Sequence, residues 1–471
     1  MHSLVENQRR YFQEGNTFPL EVRKEILRKL RTVLMKNERF LAEAIYKDFK
    51  KSFYLTVENE LSLPYGEINL ALKKMNRWAA PKRFRTNLVN FPASSWSVPV
   101  PYGVTLVIGP WNYPYMLNLV PAISSLAAGN TVILKPSEVA FHSSAALREL
   151  INSSFRPELF HVVEGDGPQT TELLKEKFDK IFFTGSTRVG KIVMKAASNN
   201  LTPLILELGG KNPAIVLPDA NVKRAAQRIM WGKMHNNGQA CVSPDHVYVH
   251  RDIKGAFLKE LKNTAEMIHR NDPLNCTMLP RVINEKNFDR LIHLIDRKKV
   301  VFGGNYNKDA LFIEPTVLKD VLESDPIMKE EVFGPILPVL EFSDSNVPLK
   351  HIQKRPVPLL LYIFTRNTKM AKAITRKVPS GGVMINETVL HFINTNTHFG
   401  GLGESGMGSY HGKAGFEGFS HQKMLINKPN WFELFLKYPP YKLGRLSIFR
   451  AVIGRSVRFL WWRSDEGTGK E

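Results

Sequence analysis

From Val104 onward the chain alternates short apolar runs with helical ones, and no other feature restricts its fold as much. Val104 to Ile108 precedes the apolar stretch Leu117 to Ala128, and Thr131 to Leu134 precedes Ser143 to Ile151. Leu159 to Val163 follows, and then Lys180 to Phe183 with Val189 to Ala197 behind it. Strands joined through helices of that length are crossover partners rather than hairpins. They lie parallel with helices on both faces, which puts the chain in the α/β class. A second alternation begins after "PLILELGGKNPAIVL": a helix over Val222 to Met234, a strand over His246 to Val249, a helix over Lys254 to Ile268, and strands near Val300 and Phe312. Two successive α/β units in 471 residues predict two domains, with a ligand cleft between them at the carboxyl ends of the strands.

Ahead of the first strand the chain is helical, with Leu20, Ile26, Leu27, Leu30, Val33 and Leu34 recurring on one face. "SVPVPYGVTLVIG" then reads as an extended arm leading into the sheet. The opening "MHSLVENQRR" has no apolar core of the kind a secretory signal needs. The two cysteines, Cys241 and Cys276, make no disulfide framework, and no Cys/His cluster has zinc spacing, so a reducing, cytoplasmic compartment and no metal are expected. A net charge of +21 would attract nucleic acid, anionic membranes or anionic substrates, but much of it lies along helix faces such as "EVRKEILRKLRTVLMKNERF", the pattern of a solvated surface. No nucleic-acid module is recognisable and no nucleic-acid partner is expected.

Several strand ends carry residues that packing alone would not choose. "VIGPWNYP" places Trp111 and Asn112 after an apolar strand, and "VILKPSE" places Lys135 and Glu138 after another. "IFFTGSTRVG" sets Gly185 and Ser186 at a strand-to-helix turn, and "LELGGKNP" puts Glu207 beside a glycine pair. The spacing of Gly185 and Gly190 fits neither the dinucleotide fingerprint nor an ATP-binding loop, so it suggests only an anion near a helix N-terminus. "NNGQACVSPD" sets Cys241 among small polar residues. A lone free cysteine is more often a small buried hydrophobe than a nucleophile.

Taken in order, these segments with "EEVFGP" and "HFGGLGESGMGSYHGK" resemble the aldehyde dehydrogenase superfamily over roughly Glu21 to Lys428, and "YHGK" is most similar to its class 3 branch, which includes fatty aldehyde dehydrogenases. The resemblance implies an aldehyde dehydrogenase-like fold. A Rossmann-like cofactor domain would take residues 1–85 and 102–207, a catalytic domain 208–400, and a β oligomerisation arm 86–101 and 409–428, making a homodimer. It implies NAD as cofactor, with NADP open. Cys241 would be the nucleophile, Asn112 with the Cys241 backbone N–H the oxyanion donors, and Glu207 the base that activates water, with Glu331 a second candidate. Trp111, Lys135, Glu138, Gly185, Ser186, Glu331 and Phe333 would contact the cofactor, Lys135 and Glu138 at the adenine ribose. Residue chemistry agrees: a thiolate adds to a carbonyl, and the alkoxide so formed needs donors aimed at it. His411 matches a branch signature with no assigned role. His398 stands where relatives usually carry proline, and Cys276 matches no motif.

The tail, residues 430–471, is rich in aromatics and arginines. If Leu443 to Trp462 is helical, Leu446, Phe449, Val452, Ile453, Val457 and Leu460 share a face opposite Arg455 and Arg458, the pattern of a helix on an anionic membrane surface. That placement would favour medium- or long-chain aliphatic aldehydes. Two other readings stay open at this point: a dehydrogenase that passes its thioester to coenzyme A, and a non-catalytic binding or structural protein that uses the basic surface.

Overall fold

The computed structural model describes residues 1–87, 90–433 and 438–440. The first alternation forms a six-stranded sheet in the order Gly406–Met407, Leu204–Leu208, Lys180–Gly185, Val104–Ile108, Thr131–Lys135, Phe160–Val162. Its strands are parallel except Gly406–Met407, which runs antiparallel with Gly406 opposite Glu207. The second alternation forms seven strands in the order Val300–Phe302, Thr316–Leu318, Ile336–Phe342, His246–His250, Pro213–Val216, Leu360–Phe364, Gly382–Ile385. Strands such as Val104–Ile108 and Leu360–Phe364 are buried at every position, as covered parallel strands must be, which is why their sequences run apolar without alternating. Phe312–Ile313 is a strand outside both sheets, paired with Tyr306–Asn307.

By contacts the chain divides into one unit, Met1–Trp78 with Pro101–His421, and a second, Ala79–Val100 with Gln422–Glu471. Both large sheets belong to the first. In the arm, Lys82–Phe84, Ser94–Pro101 and Ser420–Asn427 form a three-stranded sheet, with Lys82 opposite Ser97 and the Ser97 hydroxyl donating to Gln422 Oε1 at 2.8 Å. These boundaries differ from the expected ones in two places. Lys82–Phe84 leaves the range 1–85 to join the arm. The range 409–428 divides, because helix Gly412–Gly418 packs on Met116–Ala128 so closely that a Cβ on Gly415 would lie 2.4 Å from Ser124 Oγ. Leu443 to Trp462 lies outside the described residues. Among the described residues no helix is long and apolar enough to cross a membrane.

Helix Met116–Ala128 is buried at every residue. The backbone groups at its two ends therefore need partners that water cannot supply. At the N-terminus Tyr115 and Met116 donate their N–H groups to Glu60 Oε2, both at 3.1 Å. Glu60 comes from a single π turn, Val57–Leu61, and its other oxygen meets Lys51 Nζ at 2.5 Å. At the C-terminus the buried Arg23 guanidinium donates to the carbonyls of Ala128 (2.8 Å), Thr17 and Phe18 (2.9 Å each). Acid at the helix start and base at its end match the helix dipole. Arg23→Met should therefore lower unfolding free energy by about 3 kcal/mol, because several buried carbonyls lose their donor. Urea unfolding followed by tryptophan fluorescence would check it, and an unchanged midpoint would contradict the capping role.

Candidate active site

Cys241 follows a loop whose backbone is left-handed at three consecutive residues: Asn236, Asn237 and Gly238, with φ of 49°, 53° and 73°. Asparagine tolerates that region and glycine enters it without penalty. At Gly238 space alone would exclude another residue, since a Cβ would fall 2.1 Å from the Gly334 carbonyl oxygen. Buried amides hold the loop. Asn236 Nδ2 donates to the carbonyls of Asn112 and Gln239, each at 3.0 Å. Asn212 Nδ2 donates to the carbonyls of Cys241 (2.6 Å) and Ser243 (3.1 Å), while its Oδ1 accepts the Leu360 N–H at 2.9 Å. Lys211 and Asp245 form a buried ion pair at 2.5 Å. Asp245 also accepts the Val332 N–H at 2.7 Å, and although burial opposes ionisation, Lys211 holds its carboxyl well below the usual range. This pair ties the cysteine loop to the segment that carries Glu331.

All ten expected site residues line one cleft of about 1160 Å³: Cys241, Glu207 and Asn112, together with Trp111, Lys135, Glu138, Gly185, Ser186, Glu331 and Phe333. Asn112 is buried, and one of its amide hydrogens is spent on the Gln239 carbonyl at 3.0 Å, leaving the other for a ligand. Glu207 is buried and neither carboxyl oxygen has a hydrogen-bond partner in the protein, so burial raises its pKa well above the carboxylate range. Glu331 is pushed up to about 8 by burial, with Asp245 adding to the effect and the Gly210 N–H opposing it. The approach of Glu331 explains the glycine pair of "LELGGK": a Cβ on Gly209 would lie 2.3 Å from Glu331 Oε2. Burial pushes the Cys241 thiol up to about 12, and Glu331 and Glu207 raise it further against the backbone N–H groups of Cys241 and Val242.

The other end of the cleft suits a dinucleotide. Helix Thr187–Ser198 starts there, and the Ser186 hydroxyl caps it by accepting the Val189 N–H. Lys135 is buried at the end of its strand, donates to the Pro136 carbonyl at 2.8 Å, and stands 3.7 Å from the half-exposed Glu138. An acidic and a basic side chain at a strand end can bind ribose hydroxyls, and the helix start can face a pyrophosphate. Between that end and Cys241 stand the rings of Trp111 and Phe333, edge to face at 5.5 Å. Phe333 holds φ at 48°, a strained value for an aromatic residue.

A second set of rings, which the sequence motifs did not single out, clusters near Cys241. Tyr113 is buried near Cys241 and stacks on His235 at 6.2 Å, and His235 meets the partly exposed Trp231 at 5.3 Å. Tyr410, near both Glu207 and Cys241, contacts Phe399 at 5.8 Å, and Phe399 meets His391 at 5.4 Å. His411 stacks on Tyr410 at 4.0 Å, with its Nδ1 3.2 Å from Glu67. His398, beside Phe399, is exposed, with its Nδ1 3.4 Å from Ser409 Oγ. Cys276 is remote from the lining of the cleft and contacts the Ile268 carbonyl at 3.9 Å.

Two α/β sheets, with a dinucleotide-sized cleft lined by a cysteine and by two carboxyls that burial pushes up, define a nicotinamide-dependent dehydrogenase of carbonyl compounds. Comparison with known proteins agrees. The aldehyde dehydrogenase family model matches residues 1–425, and the chain belongs to that family. It is 40% identical over 460 residues to aldehyde dehydrogenase family 3 member H1 of Arabidopsis thaliana, covering 97% of this chain and 95% of that protein. It is also 40% identical to the dimeric NADP-preferring aldehyde dehydrogenase of Mus musculus, covering 90% and 94%. The solved substrate-bound state of Staphylococcus aureus AldH superposes with a TM-score of 0.94 at 37% identity, covering 96% of this chain and 99% of that one. The protein is an NAD(P)-dependent aldehyde dehydrogenase that oxidises an aldehyde to a carboxylic acid.

A thiol held near 12 gains about tenfold in thiolate for each pH unit. In a Cys276→Ser background, alkylation of the free enzyme by iodoacetamide should therefore climb steadily from pH 7 to 9. A plateau below pH 8 would show that the thiol is already ionised there.

Proposed function

We propose that Cys241 is the nucleophile, Asn112 and the Cys241 backbone N–H the oxyanion donors, and Glu207 the principal base. The observation that carries this reading is that one cleft brings together the Cys241 sulfur, an amide with a free N–H and a carboxyl with no protein partner. The sulfur bonds to the aldehyde carbon, its proton passes to a neighbouring carboxylate, and the carbonyl oxygen becomes an alkoxide held by the two N–H donors. One such donor is worth about 3 kcal/mol in the transition state. The nicotinamide, when bound, supplies the acceptor for the hydride that this carbon loses. Cys241 then holds the acyl group as a thioester. Glu207 takes a proton from water, the hydroxyl bonds to the acyl carbon, and the C–S bond breaks to give the acid and the restored thiol. Glu331 already accepts the Gly210 N–H, which leaves it less free to hold a water and suits it to contact the cofactor ribose. A coenzyme A acceptor would need no base for water, so an unpartnered buried Glu207 favours hydrolysis.

The aromatic cluster of Tyr113, Trp231, Phe399 and Tyr410 near Cys241 supports medium- or long-chain aliphatic aldehydes as substrates, since such rings offer apolar contact to a chain. Residues up to 207 without the arm make the cofactor domain and the seven-stranded sheet the catalytic one. Lys135 and Glu138 contact the adenine ribose, where the acidic side chain favours NAD. The edge strand Ser420–Asn427 exposes Met424, Leu425 and Ile426, and an apolar edge of this kind is suited to pair with a second copy in a homodimer; the mouse relative is described as dimeric. The basic aromatic tail would bind an anionic membrane surface from the cytoplasmic side.

With aldehydes of two to eighteen carbons, kcat/KM should rise with chain length. Cys241→Ala should lose all oxidation while still binding NADH, whereas Glu207→Gln should keep the first-turnover burst of NADH and lose steady turnover by about 10²-fold or more. Oxidation retained by Cys241→Ala would sink the mechanism. Truncation at Asn430 should abolish flotation with phosphatidylserine liposomes, and unchanged flotation would remove the membrane role.

A further inference from the structure

The buried pair Lys51–Glu60 has no place in the mechanism above. Both side chains are wholly buried and meet at 2.5 Å. A pair of this kind is a poor source of stability, because desolvating two ions offsets most of their attraction and an apolar pair of the same volume does as well. Its geometry points elsewhere. Glu60 Oε2 receives the N–H groups of Tyr115 and Met116, and Lys51 Nζ lies 4.5 Å from the ring centre of Tyr113. Asn112 immediately precedes this anchored segment. On its other side the chain is fixed where the Gly109 N–H donates to the Lys135 carbonyl at 3.1 Å. The short loop carrying the oxyanion amide is thus clamped by the sheet before it and by Glu60 after it. Asn112 itself hydrogen-bonds neither Lys51 nor Glu60; it is held to the Cys241 loop by its bond to Gln239 and by the bond from Asn236.

We propose that Lys51 and Glu60 are positioning residues for the known reaction, holding the Asn112 amide at the height where the alkoxide forms. The inference rests on Asn112 being the oxyanion donor. Lys51 fixes the Glu60 carboxylate, the carboxylate fixes the first turn of Met116–Ala128, and that turn sets where the loop before it ends. Burial drives Glu60 up and Lys51 down, while their contact and the two backbone donors to Glu60 oppose that drift, so each partner depends on the other to keep the anchor. The π turn Val57–Leu61 carries Glu60 to this helix start. Such turns recur where a side chain must be aimed at a functional site.

A double-mutant cycle on kcat separates this role from a general loss of structure. The enzymes are wild type, Lys51→Met, Asn112→Ala and the double variant, each assayed for the NADH burst and for NADH binding by fluorescence. Asn112→Ala should lose about 10²-fold or more in burst rate. Lys51→Met should lose on the order of tenfold to 10²-fold, as expected for a misplaced catalytic group, with NADH affinity unchanged within about twofold. Added to Asn112→Ala, it should cost less than about threefold more. Full multiplication of the two losses, or a Lys51→Met enzyme as fast as wild type, overturns the positioning role while leaving Asn112 as donor. An Asn112→Ala enzyme with an unchanged burst overturns the donor reading itself and the positioning role with it. Glu60→Gln, which keeps shape and an acceptor, carries the same cycle if Lys51→Met does not fold.

Discussion

The ionic capping of one buried helix is the interaction on which the rest of this structure depends. Met116–Ala128 lies against the six-stranded sheet with no residue exposed, so its end groups would each cost on the order of 1 to 3 kcal/mol if unpaired. The helices ahead of the sheet pair them through Glu60 at one end and Arg23 at the other. Those helices are therefore part of the active-site framework. Asn112 precedes the capped helix, and helix Gly412–Gly418, which follows Tyr410 and His411, packs on its flank. A single fully buried element thus fixes the loop on one side of the cysteine and the ring-bearing chain on another.

Within that framework the carboxyls are sorted by what surrounds them. Asp245, beside Lys211, stays ionised and serves as a tether that joins the cysteine loop to the chain bearing Glu331. Glu207 and Glu331 have no such cation in contact, and burial raises both. Glu331 and Glu207, when ionised, repel a thiolate at Cys241. Protonation of both at rest reduces that repulsion, and each must lose its proton before it can act as the base in the proposed mechanism.

How much of this was legible in the sequence follows from where each signal resides. The alternation of buried strands and helices showed most of the first sheet but only the His246–His250 and Val300–Phe302 strands of the second, and ordered motifs named ten of the residues that line the cleft. Gly209 and Gly238 carry the motif signal because backbone or carboxylate oxygen fills the space a side chain would take. What stayed hidden came from pairings across long sequence separation. Gly406–Met407 adds an edge strand to a sheet whose other members end near residue 208, and no local pattern marks a two-residue strand. Lys51 and Glu60 carry no sequence signal, since nothing local shows that a residue between two helices and one in a π turn meet at the start of another helix. Asn212 stood inside a recognised motif, yet its work on the Cys241 carbonyl depends on a loop 29 residues away. Tyr113 and Tyr410 are ordinary aromatic residues until tertiary contacts bring them to the sulfur.

The resting thiol and the carboxyls also decide when the enzyme becomes reactive. Burial and the neighbouring carboxyls push the Cys241 thiol up, so its proton leaves only uphill. A cysteine held this way is a weak target for oxidants and stray electrophiles, because the thiolate is scarce. When the thiolate does form, it is a stronger nucleophile than a low-pKa one, since intrinsic nucleophilicity rises with basicity. In the proposed mechanism the cost is recovered as the negative charge leaves the sulfur for the carbonyl oxygen, where Asn112 and the Cys241 N–H are the proposed donors. Charge therefore moves from a place where neighbouring carboxyls oppose it to one where donors await it. A cysteine with a high pKa suits this chemistry provided that the oxyanion donors are fixed in advance, the role proposed for the capped helix and the loop of small residues.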